Sequence, residues 1–196
     1  MIFSLDHDRS WEEGIRSGET TVLVIDAETR HVSPDQAYRK VFAIAKDARE
    51  AGIPYIYKKT DSALRGNIGS ELEAAYRAAG EPFLSFVPAL PQMNRITRGG
   101  RQYIDGVPVS KSVFGRDPFE PATKDLVKDI IRLQSEIPVI ETHGEAQPGP
   151  GQAGIVVYDA TTEADIRRIG ADLTVTGQNR LMAGCAGFAA ILPDLL

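Results

Sequence analysis

The sequence is poor in the residues that most chemistry needs. It holds one cysteine, Cys185, so no internal disulfide can form, and a reducing, cytoplasmic setting is the expectation. Its three histidines, His7, His31 and His143, are scattered, and no Cys/His cluster has the spacing of a zinc site. No apolar run reaches the ~18–20 residues of a membrane span. The opening MIFSLDHDRSWEEG lacks the basic and apolar stretches of a secretory signal. Positive charge is not in excess: 22 Lys and Arg face 27 Asp and Glu, for a net charge of −5, so nothing demands a nucleic-acid partner. A G-x-x-x-x-G-K-[ST] phosphate loop is missing. One G-x-G-x-x-G string, Gly149 to Gly154, precedes an expected strand instead of joining a strand to a helix, so it reads as a linker.

What is present is an alternation of strands and helices. The 196 residues, 42% of them hydrophobic, suffice for the core of one domain. Thr21–Asp26 (TVLVID) predicts a buried strand. Ser33-Pro34-Asp35 predicts the start of a helix over 34–50, with Ala37, Val41, Ile44, Ala45 and Ala48 inward and Gly52 as its stop. A strand over 53–57, a helix over 67–79 closed by Gly80, and a strand over 82–87 follow. The stretch 88–121 is irregular, with a small hairpin near Asp105-Gly106. Beyond it come a helix over 123–134, strands over 138–141 and 154–158, a flexible connection at 145–154, a helix over 161–170, and a last, glycine-interrupted helix over 176–192. This order predicts an α/β fold: a mainly parallel sheet with helices on both faces, Rossmann-like, in three layers. Ligands of such sheets sit beyond the carboxyl ends of the strands.

Two loops in that position are rich in polar groups. The first is Lys58-Lys59-Thr60-Asp61-Ser62-Ala63-Leu64-Arg65-Gly66-Asn67-Ile68-Gly69, between a strand and a helix. A helix N-terminus attracts anions. Lys58, Lys59 and Arg65 add charge, and Arg65 offers a planar fork for a carboxylate. Asp61, Ser62 and Asn67 can read hydroxyl groups, and Gly66 and Gly69 allow close approach. Taken singly, these residues are better read as caps and solvated charges; it is their number in one loop that points to a site. The second loop runs from Pro88 to Pro108, where Arg95 and the Gly99-Gly100 pair can cradle an anion, or simply stiffen a surface hairpin. Gly184-Cys185-Ala186-Gly187 reads as a close-packing device, with Cys185 a small core residue.

KKTDSALRGNIGSEL (58–72), PALPQMNRITRGGRQYIDGVPV (88–109) and FGRDPFEP (114–121), with DAETRH (26–31) and LMAGCAGFAA (181–190), resemble the four-carbon acid sugar kinase family, in the family's order and over nearly the whole chain. The resemblance implies an N-terminal domain that binds a sugar acid such as threonate or erythronate. Its substrate-binding residues would be Arg30, Lys58, Lys59, Asp61, Ser62, Arg65, Gly66, Asn67, Arg95, Gly99 and Gly100. ATP and Mg²⁺ would serve the full-length enzyme from a second domain, with no cofactor in this chain. Two departures qualify this. The family's opening A-D-D-x-T-G-A motif is absent, and the chain stops near the interdomain connection. Position 185 is more often Ser or Ala in the family. One reading is a single sugar-acid-binding domain over 1–196, inactive as a kinase alone. The others are a stand-alone anion-binding or regulatory module, and one half of a split kinase whose ATP-binding domain is another chain. A missing first strand would leave a sheet edge open to self-association.

Overall fold

Apolar residues alternate along the central strands with period two, and both sets are buried, which only a sheet covered on both faces allows. The computed structural model, which describes residues 2–4, 22–143, 148–149 and 151–196, shows that arrangement. Five strands form one all-parallel sheet: β3 (Ile56–Lys59), β4 (Phe83–Val87), β8 (Val139–Thr142), β9 (Gly154–Tyr158) and β10 (Leu181–Gly184), in the spatial order β3-β10-β4-β9-β8. A separate parallel pair joins β1 (Ile2–Ser4) to β2 (Val24–Asp26). The expected α/β fold, three layers deep, is the one observed.

The two faces carry distinct cores. Leu84, Phe86, Ile155, Val157, Leu181 and Ala183 point to one side, where they meet α1 (Pro34–Glu50), α2 (Ile68–Ala79) and α3 (Val127–Arg132) through Val41, Leu72, Ala75 and Ile131. Val87, Val156, Tyr158 and Met182 point to the other, against α4 (Glu163–Thr176) and α5 (Ala186–Ala189) through Ile166, Ile169, Leu173 and Phe188. α6 (Leu192–Leu195) follows α5. α1 begins as its sequence dictates: Ser33 and Gln36 form a reciprocal capping box with Pro34 in the first turn. Of its predicted inward residues, Ala37, Val41 and Ala45 are buried and Ile44 and Ala48 are half-buried. Gly80 ends α2 in the left-handed conformation (φ +74°).

The chief departure from expectation is at the C-terminal end. Residues 176–192 are not one helix: α4 runs on to Thr176, Gly177 ends it, and Leu181–Gly184 is a strand inside the sheet, between β3 and β4. Small residues are needed there because a Cβ on Gly184 would lie 2.4 Å from the Val87 carbonyl oxygen. A Cβ on Gly187 would lie 2.5 Å from that of Ala89, so these glycines do permit close packing, against β4 and the loop after it. The predicted helix over 123–134 is shortened to Val127–Arg132. Its expected first turn is spent on the hairpin, where Gln102 N–H donates to Asp125 O and Val127 N–H to Gly100 O. The predicted strand at 53–57 is shifted to 56–59 because Ile53 N–H donates back to Ala48 O and closes α1. The opening segment 5–21, and residues 145–147 and 150 of the expected connection at 145–154, lie outside the described residues.

The irregular stretch holds an antiparallel sheet of β5 (Arg95–Arg98), β6 (Arg101–Ile104) and β7 (Val107–Pro108), with its turn at Asp105-Gly106 as expected. Thr97 bridges to Ala160, just past β9, so this small sheet is tied to the carboxyl edge of the large one.

Candidate functional site

Since the five main strands are parallel, their carboxyl ends all lie on one edge, and Lys59, Val87, Thr142, Tyr158 and Gly184 mark it. The loops at 60–67 and 88–94 leave from there. They converge on one aromatic ring: the guanidinium carbon of Arg65 lies 4.6 Å from the centroid of Phe114 and that of Arg95 lies 5.0 Å from it. The two predicted anion-binding loops therefore share a locus.

The two arginines are differently committed. Arg65 donates from Nε and Nη2 to the two oxygens of Asp61 (2.9 and 3.3 Å) and from Nη1 to Asp117 Oδ2 (2.9 Å). Burial pushes the Asp61 carboxyl up, but the hydrogen bonds and charge of Arg65 outweigh it and hold Asp61 below its ordinary 3.8. The backbone N–H groups of Phe119 and Glu120, with Arg65, hold Asp117 low as well. Arg95 donates from Nη1 to Ser62 Oγ and has no carboxylate partner among the described residues. Lys59 is exposed and likewise lacks one, whereas Lys58 is paired with Glu71 in the first turn of α2. Between Lys59 and Asp61, the Thr60 hydroxyl is buried without a hydrogen-bond partner among the described residues, while its N–H donates to Gly184 O (2.8 Å).

Other predicted site residues are spent on structure. Asn67 donates from Nδ2 to Thr29 O (2.8 Å) and Val32 O (2.9 Å) and accepts from Gln134 Nε2 (3.1 Å). Gln134 Oε1 also accepts from Ser70 N–H, so the start of α2 is held from the turn just past α3. Gly66 (φ +82°) is pressed against Arg30: a Cβ there would lie 3.1 Å from Arg30 Cγ. Arg30 Nε donates to Glu120 (3.1 Å), which also pairs with His31 (3.0 Å). Arg30, Arg65, Gly66 and Asn67 line a cavity of about 290 Å³ with His31, Glu120, Lys124 and Gln134, beside the shared ring. The Gly99 and Gly100 N–H groups do cradle a carboxylate, but it is that of Asp159 (2.6 and 2.9 Å). Cys185 is buried and its thiol donates to Pro88 O and Ala89 O, with burial pushing it up, as suits a small core residue.

Phe114 and Asp117 were not singled out as site residues, although both lie in the FGRDPFEP string. The available signal was physical: a buried arginine needs carboxylates and a flat surface, and that string supplies both. Asp159, distant in sequence from Gly99, gave no signal.

Fold and edge together define a three-layer α/β domain with an electropositive, hydroxyl-bearing locus at the carboxyl ends of its strands. The chain belongs to the family of sugar-binding N-terminal domains, which it matches over residues 4–192. It is 35% identical to a D-threonate kinase of Salmonella typhimurium over 190 residues, covering 90% of this chain and 45% of the relative. With a D-erythronate kinase of Heliobacterium modesticaldum it shares 36% identity over 165 residues, covering 76% and 37%. A solved structure from Bordetella bronchiseptica, described as a domain of unknown function with bound citrate and a domain-swapped dimer, superimposes with a TM-score of 0.82 at 27% identity, covering 95% of this chain and 47% of that one. The chain thus spans under half the length of these relatives. No described helix is long and apolar enough to cross a membrane.

Proposed function

We propose that this chain is the substrate-binding half of an ATP-dependent four-carbon sugar-acid kinase, and that the acid's carboxylate is received by Arg95. One observation carries the reading: Arg95 lies at the carboxyl edge, beside the Ser62 hydroxyl, with no carboxylate of its own among the described residues. A guanidinium without a counter-ion next to hydroxyl groups matches a ligand that has one carboxylate and several hydroxyls. Lys59 adds charge, and Arg65, fixed by Asp61 and Asp117, sets the wall of the site. The Bordetella relative's citrate, a hydroxylated carboxylate, agrees with this chemistry. The described residues bring together no trio of His, Cys, Asp or Glu for a metal ion. ATP and Mg²⁺ fall, in this reading, to the half of the relatives that the chain does not match. Self-association belongs to the same proposal.

Titration calorimetry with D-threonate, D-erythronate, 3-oxo-tetronate and succinate tests it. Binding of at least one hydroxylated acid, tighter than succinate and weakened about 10- to 100-fold by Arg95→Ala, supports the reading. No heat with any acid overturns it.

A further inference from the structure

Phe114 has the surroundings of a support and not of a core residue. It is only half-buried, and the apolar cluster beneath it is small: Ala63, Ile104, Val109 and Ala122. Its backbone, in contrast, is held on three sides. Its N–H donates to Ser112 Oγ (3.1 Å), and its carbonyl accepts from Ala122 N–H (3.0 Å) and Asp117 N–H (3.4 Å). The next residue, Gly115, permits the turn to close, since a Cβ there would lie 1.8 Å from Ser110 O. A segment outside any long helix or strand is thus fastened so that one ring is presented in one place. Over that ring stand the two guanidiniums.

The ring acts differently on the two. Asp61 and Asp117 fix Arg65 whether or not the ring is there. Among the described residues, the Arg95 guanidinium has Ser62 and the ring as its partners. A long, flexible side chain with one neutral hydrogen bond samples several rotamers, and ordering it on binding costs affinity. An aromatic face removes that freedom and attracts the cation without neutralising it, as a carboxylate would. We infer that Phe114 is a positioning residue: its ring holds the Arg95 guanidinium ready for an incoming carboxylate while leaving its charge unspent. This rests on the proposed sugar-acid reading and assigns a residue outside the loops that carry it.

The test uses the full chain with D-threonate and D-erythronate as probes, read by calorimetry. Phe114→Leu weakens binding roughly 3- to 30-fold. Phe114→Trp, with the stronger cation-binding face, retains it. Pentafluorophenylalanine at position 114 keeps the shape and reverses the ring's charge distribution; it weakens binding and, being nearly isosteric, serves even where Leu impairs folding. In an Arg95→Ala background the same changes have no further effect, the non-additivity that marks two residues acting through one contact. Wild-type affinity in the fluorinated variant overturns the inference, and so does a loss that simply adds to that of Arg95→Ala. Binding of neither acid by the wild-type chain overturns the sugar-acid reading itself, and this inference with it.

Discussion

Arg65→Ala separates scaffold from ligand anchor. Arg65 is 15% exposed and is clasped by Asp61 on two atoms and by Asp117 on a third. A charge-assisted hydrogen bond contributes roughly 1.5–3 kcal/mol where solvent is excluded, and an exposed ion pair about 0–1 kcal/mol. With Asp61 20% exposed, the bidentate pair falls between these limits, so its removal costs about 2 kcal/mol. For a domain of this size that lowers Tm by about 4–8 °C. Arg95→Ala, which breaks no ion pair, shifts Tm by less than about 2 °C, because surface changes are worth within about 0.5 kcal/mol. Melting followed by circular dichroism, with and without D-threonate, reads both effects. Arg65→Ala melts early yet keeps most of its ligand-induced rise; Arg95→Ala melts normally and loses it. An Arg65→Ala protein with unchanged Tm and no response to ligand would refute the division of labour between the two arginines.

Three further outcomes follow from the geometry. Thr60→Val replaces a buried, unpartnered hydroxyl with a methyl group and raises stability by about 1 kcal/mol, seen as a higher midpoint in urea; a lower midpoint would reveal a bond to that hydroxyl. Gly69→Ala places a Cβ 2.1 Å from the Ile131 carbonyl oxygen, a backbone atom that cannot swing aside, and costs about 2–3 kcal/mol; an unchanged Tm would show that α2 and α3 can separate without cost. Asp61 titrates below 3.8 in the folded chain, so its contribution is complete above about pH 4 and is lost as pH falls through the folded value. Asp61→Asn therefore flattens the fall of Tm as pH drops below about 4, and equal slopes in the two proteins would refute that assignment.

Much of this was legible in the residues. The N-cap at Ser33, the Gly80 stop and the apolar run Ile155–Tyr158 are local signals, and the elements they announce are present. Leu181–Gly184 was not legible as a strand: four residues, two of them Ala and Gly, carry little β preference, and a strand buried on both faces has no polar period to betray it. The site divided in the same way. The string 58–69 located the locus, but not which of its polar groups remain free. Asn67 spends its amide on Thr29 and Val32, and the Gly99-Gly100 cradle is filled by Asp159. Those partners are remote in sequence, so only the fold could show that Arg95 is left with charge to offer.

The place of β10 also bears on how the chain assembles. Leu181 aligns with Ile56 and Met182 with Ser85, so the last strand enters between two made far earlier. A ribosome releases β3 and β4 with a gap between them, and loop closure across that distance is slow. Until β10 arrives, the ends bearing Lys59 and Pro88 have no common edge, and both strands expose unpaired backbone. The carboxyl edge that carries Lys59 and the loop after β4 is thus continuous only once β10 stands between them.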